Sequence, residues 1–457
     1  MTTALGKQIP RAALLALLLS PAAQAVDPAQ VAQLGRELTP MGANPQGNAD
    51  GSIPPYSGKY LGAPPHVHYR GSGTYYPSAY SDEKPLFTIT AQNYREYLDH
   101  LTEGQVALFQ AYPDTFRMPV YPSKRDTRYS DFIHDNVKKN ALSARLVEGG
   151  NGITGSFAAV PFPFPASGAE LIWNSQFSPN MAATSGEVNI ATVYTNGETQ
   201  LWARKEDRYF EPFDEKVPRE KFSGMSARVI LVITAPAREK GTAVLVHEYA
   251  NLAESPRNAW QYMPGTRRVR RAPTIAYDFP DGPGGLRTVD DALMFIGATD
   301  RFEWKIEAQR EIFVPYNNNA LDDPAMKYAQ LLTPHHLNPD AMRYELHRCH
   351  VVVGKLKPGQ RHIYGKRRLF LDEDSWVGLL ADNYDRHGAL FRTNLRSFVH
   401  LYDMPGMGPR VEVYHDLKKR AYQANNLVNE LAGPPRAVPQ GWPESHFSPA
   451  NLRMLGK

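Results

Sequence analysis

Three residues at alternate positions in the last third of the chain carry groups that could do nucleophilic chemistry. Glu345, His347 and Cys349 alternate along R-Y-E-L-H-R-C-H (343–350), so in a strand they share one face. A carboxylate, an imidazole and a thiol are the groups of a nucleophilic site. The Cα atoms of residues two apart on a strand are about 7 Å apart, which is long for the hydrogen bonds that a nucleophilic site requires. The favoured interpretation is cross-strand salt bridges plus a buried thiol, with a catalytic face as the alternative.

A second segment concentrates positive charge beside two aromatic residues. It reads W-Q-Y-M-P-G-T-R-R-V-R-R (260–271), and its Pro-Gly turn predicts a hairpin. In a strand, Arg267 and Arg271 face one side of the sheet, and Arg268 and Arg270 face the other. At the lip of a cavity, the aromatic rings would touch an apolar ligand and the guanidinium groups would hold its phosphate or carboxylate head. The candidate ligand-binding residues are Trp260, Tyr262, Arg267, Arg268, Arg270 and Arg271.

The charge balance favours a different role for these arginines. The chain has 51 Lys and Arg against 47 Asp and Glu, a formal net charge of +4. A nucleic-acid-binding protein needs a net basic face, so this class of function is excluded. With this many acids available, cross-strand pairing with Glu303, Glu345 or Asp372 is the favoured interpretation, and the ligand-binding lip is the alternative.

Other short motifs do not predict a cofactor or a metal. Gly150, Gly152 and Gly155 match a dinucleotide-binding spacing, but the following A-V-P-F-P-F-P forbids the helix that would hold the pyrophosphate. The histidines at 66, 68, 335 and 336 have no partner cluster with diagnostic spacing. The acidic run 372–374 lacks an EF-hand pattern and is interpreted as an acidic turn. We therefore predict no metal and no cofactor.

A long series of strands must position these residues. From about 188 to 415, short apolar segments are separated by turn signals such as Asn-Gly at 196–197 and Pro-Gly at 264–265 and 358–359. Short connections join antiparallel neighbours, which predicts one large sheet. Two helices are expected before it, one starting after Thr90 as its cap and one over about 131–147. The predicted fold class is α+β, mostly β.

The faces of the predicted strands indicate how the sheet is covered. Phe302, Trp304 and Ile306 alternate with charged residues, as in a strand that has one face exposed to solvent. Residues 229–233 are apolar at every position, which predicts cover on both faces. A large curved antiparallel sheet with a few helices packed on or across it fits both patterns, and such a sheet can enclose an apolar cavity.

The N-terminus predicts export. Lys7 and Arg11 precede the apolar run 12–19, and Ala-Gln-Ala at 23–25 matches a cleavage site, so residues 1–25 are interpreted as a signal peptide cleaved near Ala25. No later apolar stretch approaches the length of a membrane span. The single cysteine excludes an intramolecular disulfide. We expect a periplasmic chain with an extended Pro/Gly/Tyr-rich segment, 26–85, docked on a single large domain, 86–457.

Several blocks of the sequence are similar to one protein family. They are L-T-P-M-G-A-N-P-Q-G-N-A-D-G-S-I-P-P-Y-S-G (38–58), W-Q-Y-M-P-G-T-R-R-V-R-R-A-P (260–273), V-P-Y-N-N-N (314–319), R-Y-E-L-H-R (343–348) and R-H-I-Y-G-K-R-R-L-F-L-D-E-D-S-W (361–376). In this order they resemble the exported Gram-negative family of unknown function designated DUF1329, which is often labelled outer-membrane lipoprotein-sorting-like. Cys349 and His350 depart from the larger residues expected there.

The resemblance implies a fold and a working hypothesis. It implies a LolA/LolB-like half-open antiparallel barrel, with helices across its mouth and an apolar cavity. It also implies association with a resistance-nodulation-division exporter and an outer-membrane protein, and it supplies no catalytic residue. The first hypothesis is a soluble periplasmic carrier of a lipid-like or other hydrophobic ligand. The alternatives are a hydrolase or isomerase acting on a hydrophobic substrate, and a ligand-free structural adaptor of an exporter assembly.

Overall fold

A computed structural model describes residues 26–273, 275–404 and 406–456. The signal peptide predicted over residues 1–25 lies outside these ranges. Within them, no helix is both long enough and apolar enough to cross a membrane.

Strands are the main regular secondary structure of the described chain. In chain order they are β1 (Phe87–Ile89), β2 (Met118–Val120), β3 (Arg145–Leu146), β4 (Ile153–Thr154), β5 (Ala183–Val193), β6 (Thr199–Tyr209), β7 (Met225–Ala235), β8 (Ala243–Tyr249), β9 (Asn258–Met263), β10 (Arg268–Arg271), β11 (Pro280–Asp281), β12 (Arg287–Thr288), β13 (Phe302–Pro315), β14 (Tyr344–Leu356), β15 (Lys366–Asp372), β16 (Gly378–Tyr384), β17 (Leu390–Leu401), β18 (Gly406–Asp416), β19 (Ala421–Leu427) and β20 (Arg436–Ala437).

The helices are shorter and lie between or outside the strands. The α-helices are α1 (Pro28–Val31), α2 (Glu103–Ala111), α3 (Asp131–Ser143), α4 (Gly168–Gln176), α5 (Tyr328–Leu331) and α6 (Pro449–Leu455). The 3-10 helices are Tyr94–His100, Glu148–Gly150, Glu211–Phe213, Arg219–Lys221, Pro283–Gly285, Val289–Asp291, Asn319–Asp322, Pro339–Ala341 and Glu444–Phe447.

One open sheet dominates the fold. Over the described ranges it contains sixteen strands, in the order β1-β2-β14-β15-β16-β17-β18-β19-β5-β6-β7-β8-β9-β10, with β13 also pairing with β14 and β20 with β5. Neighbours pair antiparallel, apart from a single parallel contact between β2 and β14. The sheet does not close, because β1 and β10 end the order. The predicted class, mostly β with one large curved sheet and a few helices on it, is confirmed.

Both faces of the central strands are covered. Leu171 and Ile172 of α4 belong to the same buried apolar cluster as Leu369 of β15. Phe370, the next residue, points to the opposite face and belongs to a second cluster with Leu108 of α2. We call the first side the α4 face and the second the α2 face. The central strands are therefore buried on both sides.

The turn residues place the hairpins where the sequence predicts them. Asn196 and Gly197 connect β5 to β6, and Gly197 has φ +82°, which glycine adopts without a steric penalty. Pro264 and Gly265 connect β9 to β10. The connection at Pro358 and Gly359 leads from β14 to β15. These three predictions are confirmed, because turn chemistry is local.

The predictions about strand faces hold only in part. Phe302 and Trp304 are buried, but Ile306, the last residue before a register shift in β13, is 41% exposed. In β7, Ile230 is buried, while Val229 and Leu231 on the opposite face are only half-buried. The prediction of cover on both faces of this strand is therefore wrong. The C-terminal residues pack on its Ile230 side alone.

The two predicted helices also differ from the sequence interpretation at their ends. The helix expected after Thr90 is a 3-10 helix that begins at Tyr94, because the Asn93 side chain accepts a hydrogen bond from the Thr90 N–H and delays the start. The helix expected over 131–147 is α3, which buries Ile133 and Val137 and ends at Ser143. Residues 145–146 instead form β3.

The N-terminal segment 26–85 contains α1 and otherwise loops and turns. Its backbone accepts hydrogen bonds from side chains of the large sheet and its connections. Trp376 Nε1 donates to the Met41 carbonyl at 2.9 Å. Arg125 and Arg348 both donate to the Asn44 carbonyl, at 2.7 and 3.0 Å. These contacts hold the segment against the loop that joins β15 to β16.

Candidate functional site

Five arginine side chains converge on a cavity in the α4 face of the sheet. The cavity has a volume of about 140 Å³, and we call it the arginine cavity. Its charged lining residues are Arg204, Arg208, Arg287, Arg396, Arg410, Glu206 and Glu412. The resemblance implied an apolar cavity, and this cavity is instead lined largely by charged groups.

Strand alternation aims these side chains into the cavity. Arg204, Glu206 and Arg208 occupy alternate positions of β6 and so share one face. Arg396 of β17 lies directly opposite Glu412 of β18 in the register. Because β18, β19, β5 and β6 are neighbours in the sheet, residues far apart in sequence meet on one surface.

Each of the five arginines has a carboxylate partner. The pairs are Arg204 with Glu206 (2.5 Å), Arg208 with Glu206 (2.6 Å), Arg396 with Glu412 (3.1 Å), Arg410 with Asp322 (2.6 Å) and Arg287 with Asp281. Glu206 serves two arginines, so five guanidinium groups face four carboxylates. By direct ion pairs the set has one more guanidinium group than carboxylates, although most of its members are buried. Asp403 also stabilises the charge of Arg410.

Some of the arginine donors have no acceptor. Arg287 Nε, Arg396 Nε and Arg410 Nη2 are buried without a hydrogen-bond partner among the residues that the structure describes. Arg396 Nε is near Glu412 but is not aligned to donate to it. The three residues are 6%, 4% and 9% exposed. Buried donors are normally satisfied, so three unsatisfied ones around a single cavity are unusual.

The protonation states in the cavity follow from burial and from these neighbours. Burial alone would raise the pKa of Glu206, but Arg204 and Arg208 outweigh it and lower that pKa to about 2. Burial lowers the pKa of the Arg396 guanidinium, and Glu412 only partly offsets this effect. Glu206 is therefore ionised at neutral pH, and burial disfavours the positive charge of Arg396 despite its carboxylate partner.

An apolar groove adjoins the arginine cavity. Its volume is about 270 Å³, and it shares Asn180 and Met181 with the cavity wall. We call it the apolar groove. Its apolar lining residues are Phe132, Ile133, Pro179, Met181, Phe213, Met404, Val438 and Pro439. Asp214, Glu215 and Asp403 also line it. The two spaces together have one charged end and one largely apolar end.

The hairpin singled out in the sequence lies at the far edge of the sheet. Arg267, Arg268, Arg270 and Arg271 are all exposed, and β10 is the last strand in the order. Arg271 donates to Asn258 Oδ1 on the neighbouring strand. The structure does not bring these arginines to the arginine cavity or to the apolar groove. Their role in ligand binding stays a prediction.

The predicted acid partners of the hairpin are engaged elsewhere. Glu303 pairs with Lys305 at 2.9 Å, and Glu345 pairs with Arg343 at 2.7 Å. Asp372 accepts a hydrogen bond from Ser375 Oγ at 2.5 Å. The prediction of cross-strand pairing for the hairpin arginines is therefore wrong. The reason is that β13, β14 and β15 lie near the opposite end of the strand order from β10.

The two aromatic residues of the hairpin pack against the C-terminus. Tyr262 is buried in one apolar cluster with Phe447 and Leu452 of the C-terminal segment, and the half-buried Trp260 packs against that cluster. Helix α6 contacts β8, β9 and β10. These aromatics therefore serve to attach α6 to the edge of the sheet.

The alternating residues of β14 form a buried cluster on the α2 face. His347 Nε2 lies 3.2 Å from Glu345 Oε2, and His347 Nδ1 lies 3.8 Å from Asp372 Oδ1. The His347 ring stacks on Tyr316 at 3.9 Å between centroids. The expected separation on the strand did not prevent the Glu345–His347 contact, because both side chains are long enough to lean together. The Cys349 Sγ is directed to the His347 carbonyl at 3.8 Å instead.

This cluster does not have the features of a nucleophilic site. Burial raises the pKa of the Cys349 thiol well above its usual value, and Asp372 adds to the effect. A thiol without an ionising partner is a weak nucleophile. Two cavities, of about 20 and 600 Å³, lie beside the cluster and are both lined by Asn317, but Glu345, His347 and Cys349 line neither of them.

We expect Cys349→Ser to fold and to function almost normally. Cys349 is a small buried residue, and a serine hydroxyl at this position can donate to the His347 carbonyl that Sγ now faces. The change should lower the free energy of unfolding by at most about 1 kcal/mol. Thermal unfolding and a ligand-binding assay on the same preparation measure both effects. Intact folding with lost function would restore the enzyme hypothesis.

The sequence analysis singled out none of the five cavity arginines. One signal was present: Arg204, Glu206 and Arg208 alternate in the segment T-Q-L-W-A-R-K-E-D-R-Y (199–209), part of which was predicted as a strand. Opposite charges at alternate positions place an ion-pair ladder on one face. The pattern cannot show whether that face is buried, and burial is what distinguishes a cavity from a solvated surface.

The fold and the cavity define the chain as a mostly-β protein built on one open, curved sheet with a charged cavity on its α4 face. It belongs to the DUF1329 family of proteins of unknown function, whose family model matches residues 88–453. An uncharacterized protein of Pseudomonas aeruginosa is 41% identical to it over 448 residues, covering 97% of this chain and 96% of the relative.

Solved structures show more distant similarity. A DUF1329 family protein of Desulfovibrio piger is 14% identical and covers 62% of this chain and 96% of its own, with a TM-score of 0.42. A putative outer membrane lipoprotein-sorting protein domain of Vibrio parahaemolyticus is 14% identical, covering 62% and 97%, with a TM-score of 0.42. A LolA superfamily protein of Nitrosomonas europaea is 13% identical, covering 62% and 98%, with a TM-score of 0.38.

Proposed function

We propose that the protein is a periplasmic carrier of a lipid-like molecule. The observation that carries this proposal is the apolar groove, which opens beside the arginine cavity and shares Asn180 and Met181 with it. Volumes of about 270 and 140 Å³ together lie within the range of small-molecule pockets, roughly 300–1,000 Å³. A molecule with an apolar tail and a polar end matches the lining of the two spaces.

The lining of the groove supports an acyl or similar chain as its occupant. Phe132, Met181 and Met404 are only half-buried, so apolar surface is in contact with water in the empty protein. A bound chain removes that surface from water, which stabilises a complex by about 25 cal/mol per Å² of apolar area. Methionine side chains adapt to chains of different shape, which suits a carrier.

The cellular location and partners are proposed on different grounds. The Ala-Gln-Ala pattern at 23–25 supports export to the periplasm and cleavage near Ala25. The resemblance to exporter-associated relatives supports a resistance-nodulation-division exporter and an outer-membrane protein as partners. A carrier between two membranes needs both a donor and an acceptor, and these two partners would fill those roles.

Native mass spectrometry of protein purified from the periplasmic fraction tests the proposal. We expect a mature chain starting near Val26, with one lipid-like molecule per chain that organic solvent extracts. Turnover of a bound ester would favour the hydrolase hypothesis instead. A protein that is always empty, and that gains no ligand from a lipid extract, would contradict the carrier and favour the adaptor.

A charge placed in the groove should block binding. We expect Met404→Asp to weaken the binding of a fluorescent fatty acid at least about tenfold, because an aspartate there either loses its hydration or repels the chain. The matched control is Leu98→Asp, at a leucine that is 47% exposed on the Tyr94–His100 helix. Equal affinities of the two variants would remove the groove from the binding site.

The exposed hairpin arginines allow a separate test of the ligand-binding lip. Since these side chains are exposed, the double variants Arg268→Ala/Arg270→Ala and Arg267→Ala/Arg271→Ala should each change the free energy of unfolding by no more than about 0.5 kcal/mol per residue. Only one of the two pairs can face a bound ligand. Loss of affinity in one double variant would assign the hairpin to the binding site, and unchanged affinity in both would exclude it.

A further inference from the structure

We infer that the arginine cavity is the subsite for one acidic head group, a carboxylate or a phosphate, of the carried molecule. This inference rests on the proposed function, since the tail of the same molecule occupies the apolar groove. The lipid-like ligand is then an anionic amphiphile. Neutral molecules of equal chain length bind to the same site with lower affinity. Four observations support it.

The first observation is the charge count. Five guanidinium groups face four carboxylates, because Arg204 and Arg208 share Glu206. An uncompensated charge in a buried site is unfavourable unless a counter-charge joins it. A bound anion offsets the guanidinium group that has no carboxylate of its own, whereas a cation would be repelled. The cavity therefore favours a negatively charged group.

The second observation is the set of free donors. Arg287 Nε, Arg396 Nε and Arg410 Nη2 are buried without an acceptor among the described residues, and they belong to three different strands, β12, β17 and β18. Carboxylate and phosphate oxygens accept several N–H groups at once, and arginine forks match their geometry. Donors from three separate strands can surround such a group. A single neutral acceptor could not satisfy all three donors.

The third observation is rigidity. Arg204, Arg396 and Arg410 are each held by a carboxylate, at 2.5, 3.1 and 2.6 Å, on strands inside the sheet. Arg287 Nη1 donates to Tyr414 Oη, which in turn donates to Glu412 at 2.6 Å. These contacts fix the guanidinium groups before the ligand arrives. Little conformational entropy is then lost on binding, which is the condition for high affinity.

The fourth observation is the size and position of the cavity. About 140 Å³ is several times the roughly 10–15 Å³ that one water needs, which is enough for one compact head group. Asn180 and Met181 line both this space and the apolar groove, so the two spaces are adjacent. A tail attached to a head group in the cavity has only these two side chains to pass before it reaches the groove.

The test compares ligands that differ only in head group. Oleate should bind the wild-type protein about ten- to a hundred-fold more tightly than oleyl alcohol, the ratio expected for charge-assisted hydrogen bonds. The variant Arg396→Gln removes one guanidinium group from the cavity, while Glu412 keeps its hydrogen bond from Tyr414 Oη. This variant should lose the preference for oleate while still binding oleyl alcohol. The matched control is Arg117→Gln, which removes the same charge from the protein surface and should keep the preference.

The outcomes separate this inference from the proposed function. Equal binding of oleate and oleyl alcohol to the wild type, or a preference that survives in the Arg396→Gln variant, would overturn the acidic head-group subsite and leave the carrier in place. If neither amphiphile binds, the carrier is contradicted, and inorganic phosphate then tests the cavity alone. A rise in Tm with phosphate over sodium chloride at equal ionic strength, in the wild type but not in the Arg396→Gln variant, would assign the cavity to a free anion. No such rise would overturn the subsite altogether.

Discussion

Arg367→Met is expected to lower the free energy of unfolding by about 3–5 kcal/mol, the largest stability loss that we predict. Arg367 is fully buried on the α4 face, where Nη1 lies 3.1 Å from Asp290 Oδ2 and Nη2 lies 2.7 Å from Asp291 Oδ1. Removing the guanidinium leaves two buried carboxylates without their main counter-charge. Breaking a buried ion pair from one side is strongly destabilising for this reason. Chemical denaturation followed by circular dichroism measures the change.

The neighbouring arginine provides the control for this prediction. Arg368 points to the opposite face and pairs with Glu103 and Glu307 near the surface, at 2.8 and 2.7 Å. Arg368→Met should lower the free energy of unfolding by no more than about 1 kcal/mol, because solvent screens these pairs. Adding Asp291→Asn to Arg367→Met should recover part of the lost stability. If the two single variants were equally stable, the buried network would have no special role.

The second large effect is a pH dependence caused by Asp382. Burial raises the pKa of Asp382 to about 6, although the Gly104 N–H donates to it at 3.0 Å and Thr393 Oγ1 at 3.0 Å. An aspartate in an unfolded chain has a pKa near 3.9. Between these values the folded state binds more protons than the unfolded state, so the contribution of Asp382 to stability decreases as pH rises from about 4 to about 6.

We therefore expect Asp382→Asn to flatten the pH dependence of unfolding. Between pH 4 and pH 8 the wild type should lose about 2–3 kcal/mol more than the variant, the equivalent of a two-unit pKa shift. Denaturant unfolding at several pH values gives the difference directly, and the contribution of Asp372, whose pKa is also raised to about 6 by burial, is present in both proteins. Asp114→Asn, at an exposed aspartate, is the control. Parallel pH curves for the wild type and Asp382→Asn would contradict the assignment.

Local features of the fold could be predicted from the sequence because they depend on neighbouring residues. The hairpins at Asn196–Gly197 and Pro264–Gly265 follow from turn chemistry over two residues. The shared face of Glu345 and His347 follows from the two-residue period of a strand. The family blocks likewise identified the family to which the chain belongs. In each case the information lies within a short stretch of the chain.

Only the tertiary structure decided where the charged side chains go. The hairpin arginines and the cavity arginines all lie in strands or next to one, so secondary structure alone does not separate the two groups. What separates them is the strand order, in which β19 pairs with β5 and so joins β18 to β6 across more than two hundred residues. That pairing is selected by the free energy of burying both faces of the sheet. This free energy is summed over distant strands, so no short segment of the sequence reveals it. The chain therefore encodes its strands locally, and encodes its arginine cavity only through the complete sheet.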